Sequence, residues 1–110
     1  MIAPGSDPVS ASPVIYVDAD ACPVKDEVFR VAARCGLKAF VVSNGWIRLP
    51  PMGFVEQVVV DEGPDAADDW IAERAGPGDI VVTQDIPLAD RCLKAGAEAL
   101  KANGEVFTLD

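Results

Sequence analysis

The sequence predicts an α/β fold: a largely parallel sheet with helices on both faces. Two observations predict it. Short apolar runs rich in β-branched residues alternate with segments of helical spacing. The alternation occupies residues 14–110 of a 110-residue chain, the size of one domain. A third observation points to where the chemistry sits. The runs Val14-Ile15-Tyr16-Val17-Asp18-Ala19-Asp20 and Ile80-Val81-Val82-Thr83-Gln84-Asp85 end abruptly in carboxylates. Open parallel sheets carry their ligand sites just beyond the carboxyl ends of their strands.

The elements follow in order. Met1 to Pro13 is rich in Pro, Ser and Ala and has neither a basic nor an apolar signal-peptide region. It is expected to be a flexible leader before a single domain over residues 14–110. Val14 to Val17 is the first strand. Pro23 suits a first helical turn, and Asp26 and Glu27 suit the positive end of a helix dipole. Val24, Val28, Val31, Ala32 and Cys35 keep helical spacing, and Gly36 is placed to end the helix. Lys38 to Ser43 is the second strand, closed by Asn44-Gly45. An irregular stretch, Trp46 to Gly53, leads to a third strand, Val55 to Val60. Gly63-Pro64-Asp65 opens a second helix that runs to about Ala75. Asp79 to Thr83 is the fourth strand and Pro87 starts a third helix. The turn Asn103-Gly104 points to a fifth strand over Val106 to Thr108. The alternation calls for a helix after it. Its absence implies a missing C-terminal segment, or an edge covered by a partner such as a second copy of the chain.

Composition restricts the chemistry. There is no histidine, which excludes Ser-His-Asp and Cys-His catalysis and removes the commonest zinc ligand. Acid-base or metal chemistry must then come from the 18 Asp and Glu residues, whose oxygens suit Mg²⁺ or Mn²⁺. A net charge of −9 argues against a broad nucleic-acid-binding face, although a bound cation would cancel much of the local negative field. The three cysteines, Cys22, Cys35 and Cys92, are odd in number and widely spaced, which predicts a reducing cytoplasm. Cys35 and Cys92 are expected to be buried thiols. At a helix start Cys22 would have a lowered pKa, which the nearby carboxylates oppose. No apolar run approaches a membrane span.

The carboxylates are the candidate site. Asp18 and Asp85 each follow a strand, and they would meet if the first and fourth strands were neighbours. Two such carboxylates repel unless a proton or a cation lies between them. Turn or helix capping is the plain alternative, strongest for Asp85, while Asp20 is placed to cap the first helix. On the second helix Asp65, Asp68 and Ala72 share one face, flanked by Ile71 and Ala75, which should pack on the sheet. Asp65 and Asp68 then belong near the strand ends, with Asp69 alongside. An N-cap at Asp65 with dipole-favoured acids would explain one or two of the three. Lys25 could hold a phosphate and Asn44 could contact substrate. Trp46 and Arg48 could stack on and neutralise a nucleotide; in the plainer reading Trp46 folds onto the core.

Three blocks carry a resemblance: Asp18-Ala19-Asp20-Ala21-Cys22-Pro23-Val24-Lys25, Asp65-Ala66-Ala67-Asp68-Asp69-Trp70-Ile71 and Thr83-Gln84-Asp85-Ile86-Pro87-Leu88-Ala89. They resemble, in order, the signature blocks of the uncharacterised bacterial YaiI/YqxD family. That family looks like a member of the PIN-like group of metal-dependent nucleases, which includes the NYN domains. The resemblance implies a three-layer α/β/α sandwich with strand order 3-2-1-4-5, and so places Asp18 beside Asp85. Gly63-Pro64-Asp65 is similar to the helix-opening acid motif of those nucleases, and Thr83-Gln84-Asp85 to their Ser-Gly-Asp. Pro87 stands where an NYN-type motif has a second Asp, so that acidic ligand is either absent or supplied elsewhere, by Asp20 or Asp90. Family members usually continue further, with an Asn-Ile pair and a final helix.

The leading expectation is a Mg²⁺- or Mn²⁺-dependent nuclease, acting on RNA before DNA. Asp18 and Asp85 would be inner ligands, completed by Asp65 and by Asp68 or Asp69. One alternative is a catalytically inactive PIN-like module that binds RNA or protein. The other is a dehalogenase-like phosphatase with Asp18 as nucleophile and Asp20 as general acid.

Overall fold

The computed structural model of the protein describes residues 13–20, 26–49, 52–61, 63 and 65–108. Strands and helices alternate as β1 (Val14–Asp18), α1 (Asp26–Cys35), β2 (Lys38–Ser43), β3 (Val55–Val59), α2 (Ala66–Arg74), β4 (Ile80–Val82), α3 (Ile86–Lys94) and β5 (Glu98–Leu100). The sheet has the order β3-β2-β1-β4-β5, and every adjacent pair is parallel.

The pleat sorts the core into two layers, because successive strand residues point to opposite faces. Ile15 and Val17 of β1 join Ala39 and Val41 of β2 and Val82 of β4 beneath Phe29 and Ala32 of α1. Tyr16 of β1, Val42 and Val81 face the other way, packing with Ala67 and Ile71 of α2 and with Leu88 and Cys92 of α3. One helix therefore covers one face and two cover the other, which makes the three-layer sandwich. Ile71 and Ala75 lie on the sheet as expected, and Tyr16 of β1 stacks on Phe40 of β2 while Trp70 of α2 meets the first edge-on and the second at a tilt. Truncating the fully buried Ile71 to Ala would cost about 2–5 kcal/mol. Beyond α1, over β4 and β5, its face of the sheet opens into an apolar groove of about 210 Å³.

Local chemistry sets the ends of the helices. Gly36 closes α1 with φ of +69°, and the amide of Leu37 returns to the Ala32 carbonyl at 2.9 Å. Asp85 caps α3, its carboxylate accepting from the Leu88 amide at 3.1 Å. Among the described residues no helix is long and apolar enough to cross a membrane.

Several expectations need correction. The fifth strand is Glu98–Leu100, not Val106 to Thr108. Gly96, at φ +96°, stops α3 early and releases a segment whose individual residues favour helix, but which the register with β4 holds extended. The Asn103-Gly104 turn then folds the chain back, so that Val106 bridges Leu100 in antiparallel fashion on the outer side of β5. Part of that sheet edge is thus covered by the chain itself. Cys35 is exposed, on the outer side of the last turn of α1, whereas Cys92 is buried. Trp46 does not fold onto the core: it is 79 % exposed. Pro23, Val24, Cys22, Lys25 and the leader up to residue 12 lie outside the described residues.

Candidate carboxylate site

Asp18 ends β1 two residues after Tyr16, so the pleat turns its side chain to the face that carries α2 and α3. Here the strand order reverses, since β2 and β3 lie to one side of β1 and β4 and β5 to the other. Asp18 is fully buried. Thr83, just past β4 and also fully buried, donates its hydroxyl proton to Asp18 Oδ2 at 2.7 Å. The Thr83 oxygen in turn accepts from the Asp85 amide at 3.0 Å. One threonine therefore ties the ends of β1 and β4 together and sets the start of α3.

α2 delivers Asp68 to the same place. With Ala67 and Ile71 on the sheet, Asp68 is a half-buried first-turn residue beside Asp18 and Asp85. Its carboxyl is pushed up from 3.8 to about 7. Burial is the main cause, followed by the charges of Asp18 and Asp85, a side-chain hydrogen bond shared with Asp85, and the charge of Asp65. Asp65 stands at the N-cap position of α2, yet its side chain makes no capping bond there. Capping thus accounts for Asp85 but not for Asp65. Burial also pushes the Cys92 thiol beneath this cluster up to about 11, with Asp68 and Asp18 adding to the effect, so the thiol stays protonated and inert.

The Asp68 carboxyl thus keeps its proton up to near neutral pH, hydrogen-bonded to Asp85 and close to the enclosed Asp18. All the acidic oxygens are carboxylates, a donor set that suits a hard cation. Among the described residues, no three His, Cys, Asp or Glu side chains already form a group that could hold a metal ion. To hold an ion, these carboxylates would have to draw closer together and Asp68 would have to give up its proton.

The other expected residues go elsewhere. Asp20, expected as a ligand or a helix cap, accepts from the Asn44 amide at 3.0 and 3.2 Å and clasps the end of β1 to the end of β2. Asn44 itself is exposed beside that clasp. Asp69 pairs with Arg91 of α3 at 2.9 Å, an exposed bridge worth about 0–1 kcal/mol. Arg48 lies on the loop after β2, whose Ile47 and Leu49 pack into the layer under α1, on the opposite face of the sheet from Asp68. Asp90 pairs with Lys94 along α3. Thr83 is the site residue whose role the sequence reading missed. Its signal was available: it lies two residues after Val81 and so has the same pleat parity.

The model of the family described as "Uncharacterized BCR, YaiI/YqxD family" matches residues 16–110. A UPF0178 protein of Caulobacter sp. (strain K31) is 71 % identical over 97 residues, covering 88 % of this chain and 64 % of the relative. UPF0178 proteins of Rhodopseudomonas palustris (strain BisB18) and Nitrobacter winogradskyi are 63 % and 60 % identical over 94 residues, 86 % of this chain and 61 % and 60 % of theirs. The chain thus spans less than two thirds of the length of these curated relatives. No solved structure matches it significantly.

Proposed function

The chain belongs to the YaiI/YqxD family, and we propose that it carries the carboxylate centre of a Mg²⁺- or Mn²⁺-dependent nuclease with a PIN-like site, acting on RNA before other nucleic acids. The observation that carries this reading is the crowding of Asp68 against Asp18 and Asp85 at the strand reversal, which pushes the Asp68 carboxyl up to about 7. Like charges brought this close are costly unless a cation offsets them, and a site built only for stability would avoid the cost. Asp68, Asp85 and Asp65 would hold the ion from above and Asp18 from beneath. When bound, such an ion activates water and offsets charge on a phosphate. The residues of the chain supply the rest. Thr83 fixes the Asp18 carboxylate, and the α3 cap fixes Asp85, so two acids are held by hydrogen bonds before any ligand arrives.

An RNA- or protein-binding module without catalysis is the second reading. The complete burial of Asp18 and the proline at position 87 favour it. The phosphatase alternative has weaker support, because its nucleophile would be the enclosed Asp18 and its acid, Asp20, is engaged with the Asn44 amide.

The test is cleavage of a labelled single-stranded RNA with Mn²⁺, beside a generic phosphomonoester. The nuclease reading expects RNA cleavage that is lost with EDTA and in Asp85→Asn. Intact RNA under a folded wild type that binds it would favour the module instead. Hydrolysis of the phosphomonoester alone, with beryllofluoride trapped on Asp18, would favour the phosphatase.

A further inference from the structure

We infer that Trp46 and the arginines on the α1 side of the sheet form a binding path for single-stranded nucleic acid, leading to the carboxylate site from the β2 end. The inference rests on the nuclease or RNA-binding reading above and gives the site its substrate contacts.

The cations of the described residues divide sharply. Lys38, Arg74, Arg91, Lys94 and Lys101 each pair with a carboxylate. Arg30, Arg34 and Arg48 are exposed and form no ion pair with a described residue. All three lie on the side of the sheet that carries α1. In a chain of net charge −9, acids are abundant. Exposed arginines without an acidic partner among the described residues can meet an external anion, and a phosphate backbone is the anion that also explains the exposed indole beside Arg48.

The indole is held in place. The loop after β2 runs extended, with Ile47 and Leu49 turned into the core and Trp46 and Arg48 turned out. The Gln57 side chain grips both polar groups of the Ile47 backbone, accepting from its amide at 2.7 Å and donating to its carbonyl at 2.8 Å. Trp46 and Arg48 line a groove of about 360 Å³ against Val55 and Gln57. A 79 % exposed tryptophan on a braced loop loses little side-chain freedom when a base stacks on it. Arg30 lies on the flank of α1 nearer this loop. Ala33, one helical turn on, faces Gly53 and Phe54, whereas Val28 and Val31 face β4 and β5.

Trp46 starts the path a short stretch of chain from Asp18. Val42 of β2 is the partner of Asp18 in the sheet register, and Trp46 follows four residues later. Four residues span at most about 14 Å. The Asp20–Asn44 clasp fixes where this segment leaves the sheet.

The experiment uses the whole chain in EDTA, so that no cleavage occurs. Fluorescence anisotropy follows a labelled 12-residue oligouridylate. Trp46→Ala is expected to weaken binding about tenfold or more, and Trp46→Phe to keep most of the affinity, because stacking needs a ring and not an indole N–H. Arg48→Ala should lower the slope of log affinity against log salt by about 0.7. Because both side chains are exposed, the variants should melt like the wild type. Trp46→Ala binding as tightly as the wild type would overturn the path, and so would a wild type that does not bind the oligonucleotide. Manganese-dependent cleavage unaffected by Trp46→Ala would refute the path and leave the nuclease reading standing. Trp46-dependent binding without cleavage would uphold the path and remove the nuclease.

Discussion

Replacing Asp68 by Asn should stabilise the metal-free protein, and only where Asp68 would otherwise be charged. The folded-state carboxyl titrates at about 7 against an ordinary value of 3.8. The folded state therefore holds the proton more tightly than the unfolded chain. Stability falls as pH rises from about 4 to about 7 and levels off above that. At 1.36 kcal/mol per pH unit, the full displacement would be worth roughly 4 kcal/mol. Asp68 is only half-buried, and solvent screening reduces this to about 1–2 kcal/mol. Loss of a favourable charge in the first turn of α2 returns about 0.3–1 kcal/mol. The side-chain amide that Asp68→Asn introduces can still donate to the Asp85 carboxylate, so the hydrogen bond survives. The net gain at pH 8 is about 1 kcal/mol, or roughly 4–8 °C in melting temperature. Melts of wild type and Asp68→Asn across pH 5 to 8 would show the gap widening with pH. A gap that does not change with pH, or a variant less stable at pH 8, would refute the raised Asp68 carboxyl.

Three further outcomes follow from the same geometry. Mn²⁺ should raise the melting temperature of the wild type, by the equivalent of about 2.7 kcal/mol at a hundredfold excess over Kd, and should do so far less in Asp85→Asn; an equal shift in both would place the ion elsewhere. Thr83→Val keeps the shape but removes the donor to the buried Asp18 carboxylate, and urea unfolding should show a loss of about 1.5–3 kcal/mol. In native protein at pH 8, thiol labelling read by mass spectrometry should mark Cys35 and spare Cys92, which is buried and pushed up to about 11.

The sheet order was legible as an implication of family resemblance, and the two faces of the core follow from residue parity. Gly36 and the Asp85-Pro87 pair announced a helix end and a helix start correctly, because capping is decided within a few residues. The last strand was not legible. Glu98-Ala99-Leu100 carries no β-branched residue, and its extended form is imposed by β4, across the third helix. Val106 to Thr108 looked more like a strand on local grounds and became a cover for the edge of β5. Trp46 misled for a related reason: an apolar ring predicts burial, but alternation along the loop, anchored by Gln57 ten residues away, turns it outward.

The site was legible to the extent that it depends on parity and helical spacing, and not where partners are distant in sequence. Asp18, Asp68 and Asp85 converge because a strand residue of Tyr16 parity, a helix residue next to a sheet-facing Ala67 and a helix cap share one face of the sheet. Asp20 and Asp69 have almost the same local credentials. They were drawn away by an amide 24 residues on and an arginine 22 residues on, neither of which local sequence reveals. The consequence is chemical. With Asp20 and Asp69 engaged, the charges that bear on Asp68 are those of Asp18, Asp85 and Asp65, and it is at Asp68 that a proton or a cation must offset them.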